Sequence, residues 1–124
     1  MPLGLVWIAQ LGIAAYFSLL PAVRLAGMPG SDKLWHLGGY LALALPIPFI
    51  WGSRRRVLAV GLLLALYGVG LEFAQEYVPG RSFELSDMFA NSAGVVCGIA
   101  LAVWLRSAIL SRRWSLVPGS PSLR

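Results

Sequence analysis

Apolar residues run along this chain in four continuous stretches, at 3–23, 34–51, 57–78 and 88–105. Continuous runs exclude a β-barrel, whose strands alternate apolar and polar positions. A run of about 18–22 residues reaches about 30 Å as a helix at about 1.5 Å per residue, enough to cross the hydrocarbon core of a bilayer. Lipid offers no hydrogen bonds, so each span is expected to satisfy its backbone internally, as a helix. The first run is interrupted only by Gln10 and Ser18, and no Lys or Arg precedes it. It is longer than the apolar core of a cleaved signal, so a retained helix is expected. The second run is broken near its end by Pro46 and Pro48, and the third carries Glu72, Gln75 and Glu76 near its C-terminal end.

The connections are short. Residues 24–33 contain Gly27, Pro29 and Gly30, residues 52–56 form a basic turn, and residues 79–86 contain Pro79-Gly80. Short links place consecutive helices side by side and antiparallel. From Arg106 onward the chain turns polar, with Pro118, Gly119 and Pro121, and is expected to be flexible. The predicted fold is an all-α integral membrane bundle of four transmembrane helices with short loops, occupying residues 1–106, followed by a polar cytoplasmic tail at 107–124.

Composition agrees. A soluble domain is about 45–50% apolar and about 25% charged, whereas these 124 residues are 58% hydrophobic and 12% charged. So little charge cannot cover a water-facing surface, and disorder requires low hydrophobicity. The single cysteine, Cys97, excludes an intrachain disulfide and a multi-cysteine zinc site, and its small neighbours suggest a packing role. The net charge of +5 does not point to nucleic acid, because the basic residues cluster at the ends of apolar runs. Arg54, Arg55, Arg56, Arg106, Arg112, Arg113 and Arg124 fall on one side of the predicted bundle, and Arg24, Lys33 and Arg81 on the other. The richer side is expected to be cytoplasmic, giving a multi-pass cell-membrane protein with both termini inside and the first and third loops outside.

The helical period decides which residues can meet. Asp32, His36, Gly39, Tyr40 and Leu43 share one stripe; Gly61, Ala65, Gly68, Glu72 and Gln75 share a second; Asp87, Asn91, Gly94, Gly98 and Ala102 share a third. Each is polar at its outer end and mostly small below. Small residues let membrane helices approach closely, so the three glycine-lined faces are expected to pack and bring their polar ends to one outer mouth. Glu72 lies about 10 Å along the helix from Pro79, and an ionisable group inside a membrane span needs a partner, water, a metal or a proton. His36, Arg81 and Lys33 are the expected partners.

Plainer roles compete at each position. Glu72 and His36 would fix helix register or orient a loop, Asp87 would cap a helix, and Asn91 and Tyr40 would bond neighbouring helices. Arg81 would anchor a loop at the headgroup level. Glu76 and Glu84 read as solvated loop charges, Gln10 as a bundle contact, and most of the tryptophans as interfacial or lipid-facing anchors.

The order of these residues is familiar. Asp32-Lys33-Leu34-Trp35-His36 with Tyr40, then Glu72-Phe73-Ala74-Gln75, Pro79-Gly80-Arg81, Asp87, Asn91, Gly94 and Gly98 resembles the signature of VanZ-like membrane proteins over residues 32–98. Leu37 stands where that family often has Phe, one apolar residue for another. The namesake is associated with low-level resistance to the glycopeptide antibiotic teicoplanin, so the resemblance implies an envelope-related role without supplying a mechanism.

Three activities fit. In the first, Asp32, Lys33, His36, Tyr40, Glu72, Gln75, Arg81, Asp87 and Asn91 line an outer pocket for an anionic lipid or cell-wall precursor, since an arginine fork suits phosphate. In the second, His36 and Glu72 are catalytic in an intramembrane enzyme acting on a lipid-linked phosphate, with Arg81 and Lys33 stabilising charge. No cofactor is required, although His36, Glu72, Asp87 and Asn91 would suit Mg²⁺ or Mn²⁺. In the third, Glu72 and His36 titrate in a proton-coupled transporter or lipid-moving protein, which with so few helices would need to form a homo-oligomer.

Overall fold

The computed structural model describes residues 2–21 and 31–115, and over these the chain is helical with no strand. The helices are α1 (Pro2–Ser18), α2 (Ser31–Ala44), α3 (Ile47–Trp51), α4 (Arg54–Gln75) and α5 (Leu85–Ser115). Three stretches are long and apolar enough to cross a membrane: Asp32–Trp51, which joins α2 and α3, Arg54–Gln75, and Leu85–Ser111. The expected first span is shorter. α1 is apolar but has 17 residues and stops at Ser18, close to Pro21, which disfavours helix at the residue before it. Arg24, Gly27, Pro29 and Gly30 of the expected first connection, and Arg124 of the tail, lie outside the described residues.

The other boundaries also have local causes. Pro46 and Pro48 carry no N–H, so the helical ladder breaks after Ala44 and restarts at Ile47. The neighbouring Leu43 carbonyl accepts from the Trp7 indole N–H of α1 at 2.7 Å. Arg106 Nη1 donates to the carbonyls of Pro48, at 3.0 Å, and Gly52, at 3.3 Å, at the end of α3. Ser53 caps α4 by accepting the Arg56 N–H, so that helix begins at Arg54 and takes in the basic turn. α5 runs past Leu105 to Ser115. The start of the expected loose tail is therefore helix, as befits a stretch with no Pro or Gly before Pro118.

α2 and α5 form the closest pair. A Cβ on Gly98 would lie 2.5 Å from the Leu41 carbonyl oxygen and 2.9 Å from Ala44 Cβ, and one on Gly94 would collide with the Leu37 carbonyl. On α4, Gly61 makes room for Ile99 and Gly68 for the Tyr40 ring. The expected meeting of three glycine faces is corrected in one respect: Gly39 has nothing within 4 Å. α2 instead presents the backbone of Leu37 and Leu41, with Tyr40 and Ala44, to the glycines of its neighbours. Tyr40, Leu43, Ala44, Ile47, Val57, Leu64 and Val95 make the core. Large apolar side chains such as Leu5, Leu63, Phe89 and Val96 point outward, the arrangement of a bundle whose surroundings are apolar. Cys97 is exposed on that outer surface and does not pack inside. Trp7 and Trp51 meet edge to face with centroids 5.0 Å apart, while Trp35 and Trp104 are exposed.

Candidate functional site

The polar ends converge at one end of the bundle. Asp32 and His36 are one turn apart on α2, and Asp87 lies in the first turn of α5. Asp87 is therefore inside the helix, not its cap, where the N-terminal dipole favours a negative charge. Asn91, one turn further, places Oδ1 3.0 Å from His36 Nδ1. His36 Nε2 lies 3.5 Å from Asp87 Oδ2. Lys33 Nζ reaches Glu84 Oε2 at 3.2 Å and Asp87 Oδ1 at 3.8 Å. Glu72, Asp87 and Asn91 are 1%, 3% and 2% exposed, burial that polar groups tolerate only when partnered.

Glu72 pairs with neither His36 nor Arg81, contrary to expectation. Its Oε1 accepts the backbone N–H of Glu84 at 2.8 Å, and its Oε2 is buried without a hydrogen-bond partner among the described residues. Here the carboxylate ties α4 to the segment entering α5. Arg81 goes elsewhere too: its Nε donates to the Leu20 carbonyl at 3.1 Å. Gln75 Nε2 donates to the Ser18 carbonyl at 3.0 Å. Together they satisfy carbonyls at and just beyond the end of α1, where helical partners run out. Tyr40 lies under the site against Gly68, its hydroxyl lacking a partner among the described residues. Gln10 Oε1 is likewise buried and without a partner among them.

A tight turn sets Arg81. The Arg81 N–H bonds back to the Val78 carbonyl at 3.1 Å across Pro79-Gly80, with Gly80 at φ 80°. Pro then Gly at the centre of such a turn satisfies its demand for a fixed negative φ followed by a positive one. Beside the turn is a half-open cavity of about 190 Å³ lined by Asp32, Gln75, Gly80, Arg81, Ser82, Glu84 and Asp87. Asp32, Gln75, Arg81 and Asp87 were expected in it; His36, Lys33, Asn91, Tyr40 and Glu72 stand behind or beside it. Ser82 and Glu84 were not singled out as pocket residues. Their only signal in the sequence is a place in the short loop after Pro79-Gly80, which shows polarity but not direction.

The fold and this end cluster define a helical membrane protein with buried acidic and imidazole groups gathered under a polar mouth. The chain belongs to the VanZ/LLP1 family, whose model matches residues 5–106. It is also 33% identical over 99 residues to an uncharacterized protein of the fission yeast Schizosaccharomyces pombe. That match covers 77% of this chain and 58% of the relative, so the chain spans a little over half the length of the curated protein it matches. No solved structure matches.

Proposed function

We propose that this VanZ-like membrane protein holds the phosphate-bearing headgroup of an anionic lipid, or of an envelope intermediate of the same chemistry, in the cavity at its polar end. The observation that carries the reading is the setting of Arg81. Its Nε is anchored on Leu20, while no hydrogen bond to a described residue engages its two terminal nitrogens, and the residue walls the cavity. A planar fork held by one edge is prepared to take two phosphate oxygens with the other. The cavity lies at the ends of three stretches long and apolar enough to cross a membrane, which supports a ligand drawn from the headgroup layer. The excess of arginine at the opposite end supports an extracytoplasmic mouth.

The test is lipid retention. Protein purified in detergent is incubated with short-chain phosphatidylglycerol or phosphatidylcholine, and bound lipid is counted by native mass spectrometry. Selective retention of the anionic lipid is expected, weakened by Arg81→Lys and removed by Arg81→Ala. Equal retention of both lipids, or indifference to Arg81→Lys, refutes it.

A further inference from the structure

Three carboxylates, Asp32, Glu84 and Asp87, line the cavity beside the single guanidinium of Arg81. Lys33 offsets Glu84, at 3.2 Å, and only distantly Asp87, at 3.8 Å. We infer that Asp32, His36 and Asp87 form a divalent-cation site of the Mn²⁺ or Zn²⁺ type, set beside the headgroup cavity. The site deepens the reading above and rests on it only for the ligand's phosphate; the ion is bound by the protein alone.

One donor atom from each of the three residues lies within 4.8 Å of the others. Asp32 and His36 are paired by the helical repeat, and Asp87 is brought in by the close α2–α5 contact. The hydrogen bonding of His36 adds an independent argument. His36 Nδ1 lies 3.0 Å from Asn91 Oδ1, so the tautomer with its proton on Nδ1 donates to that oxygen. In the neutral ring Nε2 is then a lone pair, and it faces Asp87 Oδ2, another acceptor, at 3.5 Å. In that tautomer a cation set between the two atoms would be bound by both. The other oxygen, Asp87 Oδ1, is buried with no hydrogen-bond partner among the described residues, in a residue that is 3% exposed and lines the cavity. Metal-binding imidazoles are oriented by a hydrogen bond from the far nitrogen to an oxygen acceptor, the position that Asn91 Oδ1 takes beside His36 Nδ1. One nitrogen and two oxygens suit Zn²⁺ or Mn²⁺. Asp32, the exposed member, can swing to shorten the third contact. Coordination positions facing the cavity would accept water or a phosphate oxygen, which explains how an acidic wall and an anionic headgroup share one space. By donor type alone, Glu72 and Asn91 had also been possible ligands. Glu72 is instead held by the Glu84 amide, and Asn91 stands behind the imidazole as its orienting partner.

The test uses Mn²⁺ alone. Chelator-treated full-length protein in phosphatidylcholine nanodiscs is titrated with Mn²⁺, and the free ion is followed by electron paramagnetic resonance. One ion per chain is expected, displaced by Zn²⁺. Asp87→Asn and His36→Gln should each weaken binding at least about tenfold, Asn91→Ala should weaken it about 10–100-fold through the lost orientation, and the exposed Glu76→Gln should leave it unchanged. Should the buried variants fail to fold, Asp32→Asn on the exposed member carries the same expectation. Absence of stoichiometric binding, or binding equal in the parent and Asp32→Asn, overturns the site. The two readings separate cleanly. Mn²⁺ binding without selective lipid retention leaves the site and removes the headgroup, whereas lipid retention that survives a chelator, with no Mn²⁺ binding, does the reverse.

Discussion

Replacing Gly98 with alanine probes the helix contact on which the polar end depends. The added methyl would lie 2.5 Å from the Leu41 carbonyl oxygen, 2.9 Å from Ala44 Cβ and 3.2 Å from the Leu41 carbonyl carbon. Two of these neighbours are backbone of a regular helix and cannot turn aside. To reach ordinary contact at 3.4 Å, α5 must back away from α2 by about 0.9 Å, and a gap of 0.5–1 Å forfeits about a quarter to a half of the dispersion energy of each facing pair. In lipid, where van der Waals packing is a principal force between helices, an overpacked contact of this kind should cost about 1–3 kcal/mol. The intrinsic preference of alanine over glycine in a helix, about 1 kcal/mol, opposes this without reversing it. Carried to the end of the helices, the same shift would stretch the 3.0 Å contact of His36 with Asn91 to about 3.9 Å, beyond hydrogen-bonding reach. Reversible unfolding in mixed micelles, followed by far-ultraviolet circular dichroism, measures the stability. Gly39→Ala is the matched control, since that position has nothing within 4 Å, and it should be neutral or stabilising. If Gly98→Ala proves as stable as Gly39→Ala, the close α2–α5 contact and the argument built on it are wrong.

Substitutions at two further positions test the loop above the site. Glu72→Gln keeps an acceptor for the Glu84 amide and should melt close to the parent, whereas Glu72→Ala strands that part-buried N–H at a cost of about 1–3 kcal/mol; equal melting temperatures in detergent would disprove the tether. Gly80→Ala forces a side chain onto φ 80°, a strain of about 1–2 kcal/mol. It should weaken anionic-lipid retention by displacing Arg81, while Gly38→Ala, in open space, should not.

Much was legible in the residues alone, because a bilayer restricts what an apolar run can become. Continuous hydrophobicity with charge at its edges dictated helices, and the period of the helix put Asp32 over His36, Asp87 over Asn91 and Gly94 over Gly98 before any packing was known. Family membership lay in the same spacing. Lengths were less secure, since the ends of helices are set by single local groups: Pro46 and Pro48 split the second run, Ser53 began the third early, and α5 continued through the charged residues after Leu105. What only the tertiary structure decided was partner choice. Glu72 was expected to meet His36 or Arg81, yet a backbone amide twelve residues away took one of its oxygens, and Arg81 went to the Leu20 carbonyl. Gly39, on the expected stripe, proved bare, while the Leu41 backbone met Gly98. Periodicity assigns a residue to a face of its own helix. Which groups meet across two helices depends on their rotation, offset and distance, and these are settled only when every side chain of the bundle packs at once.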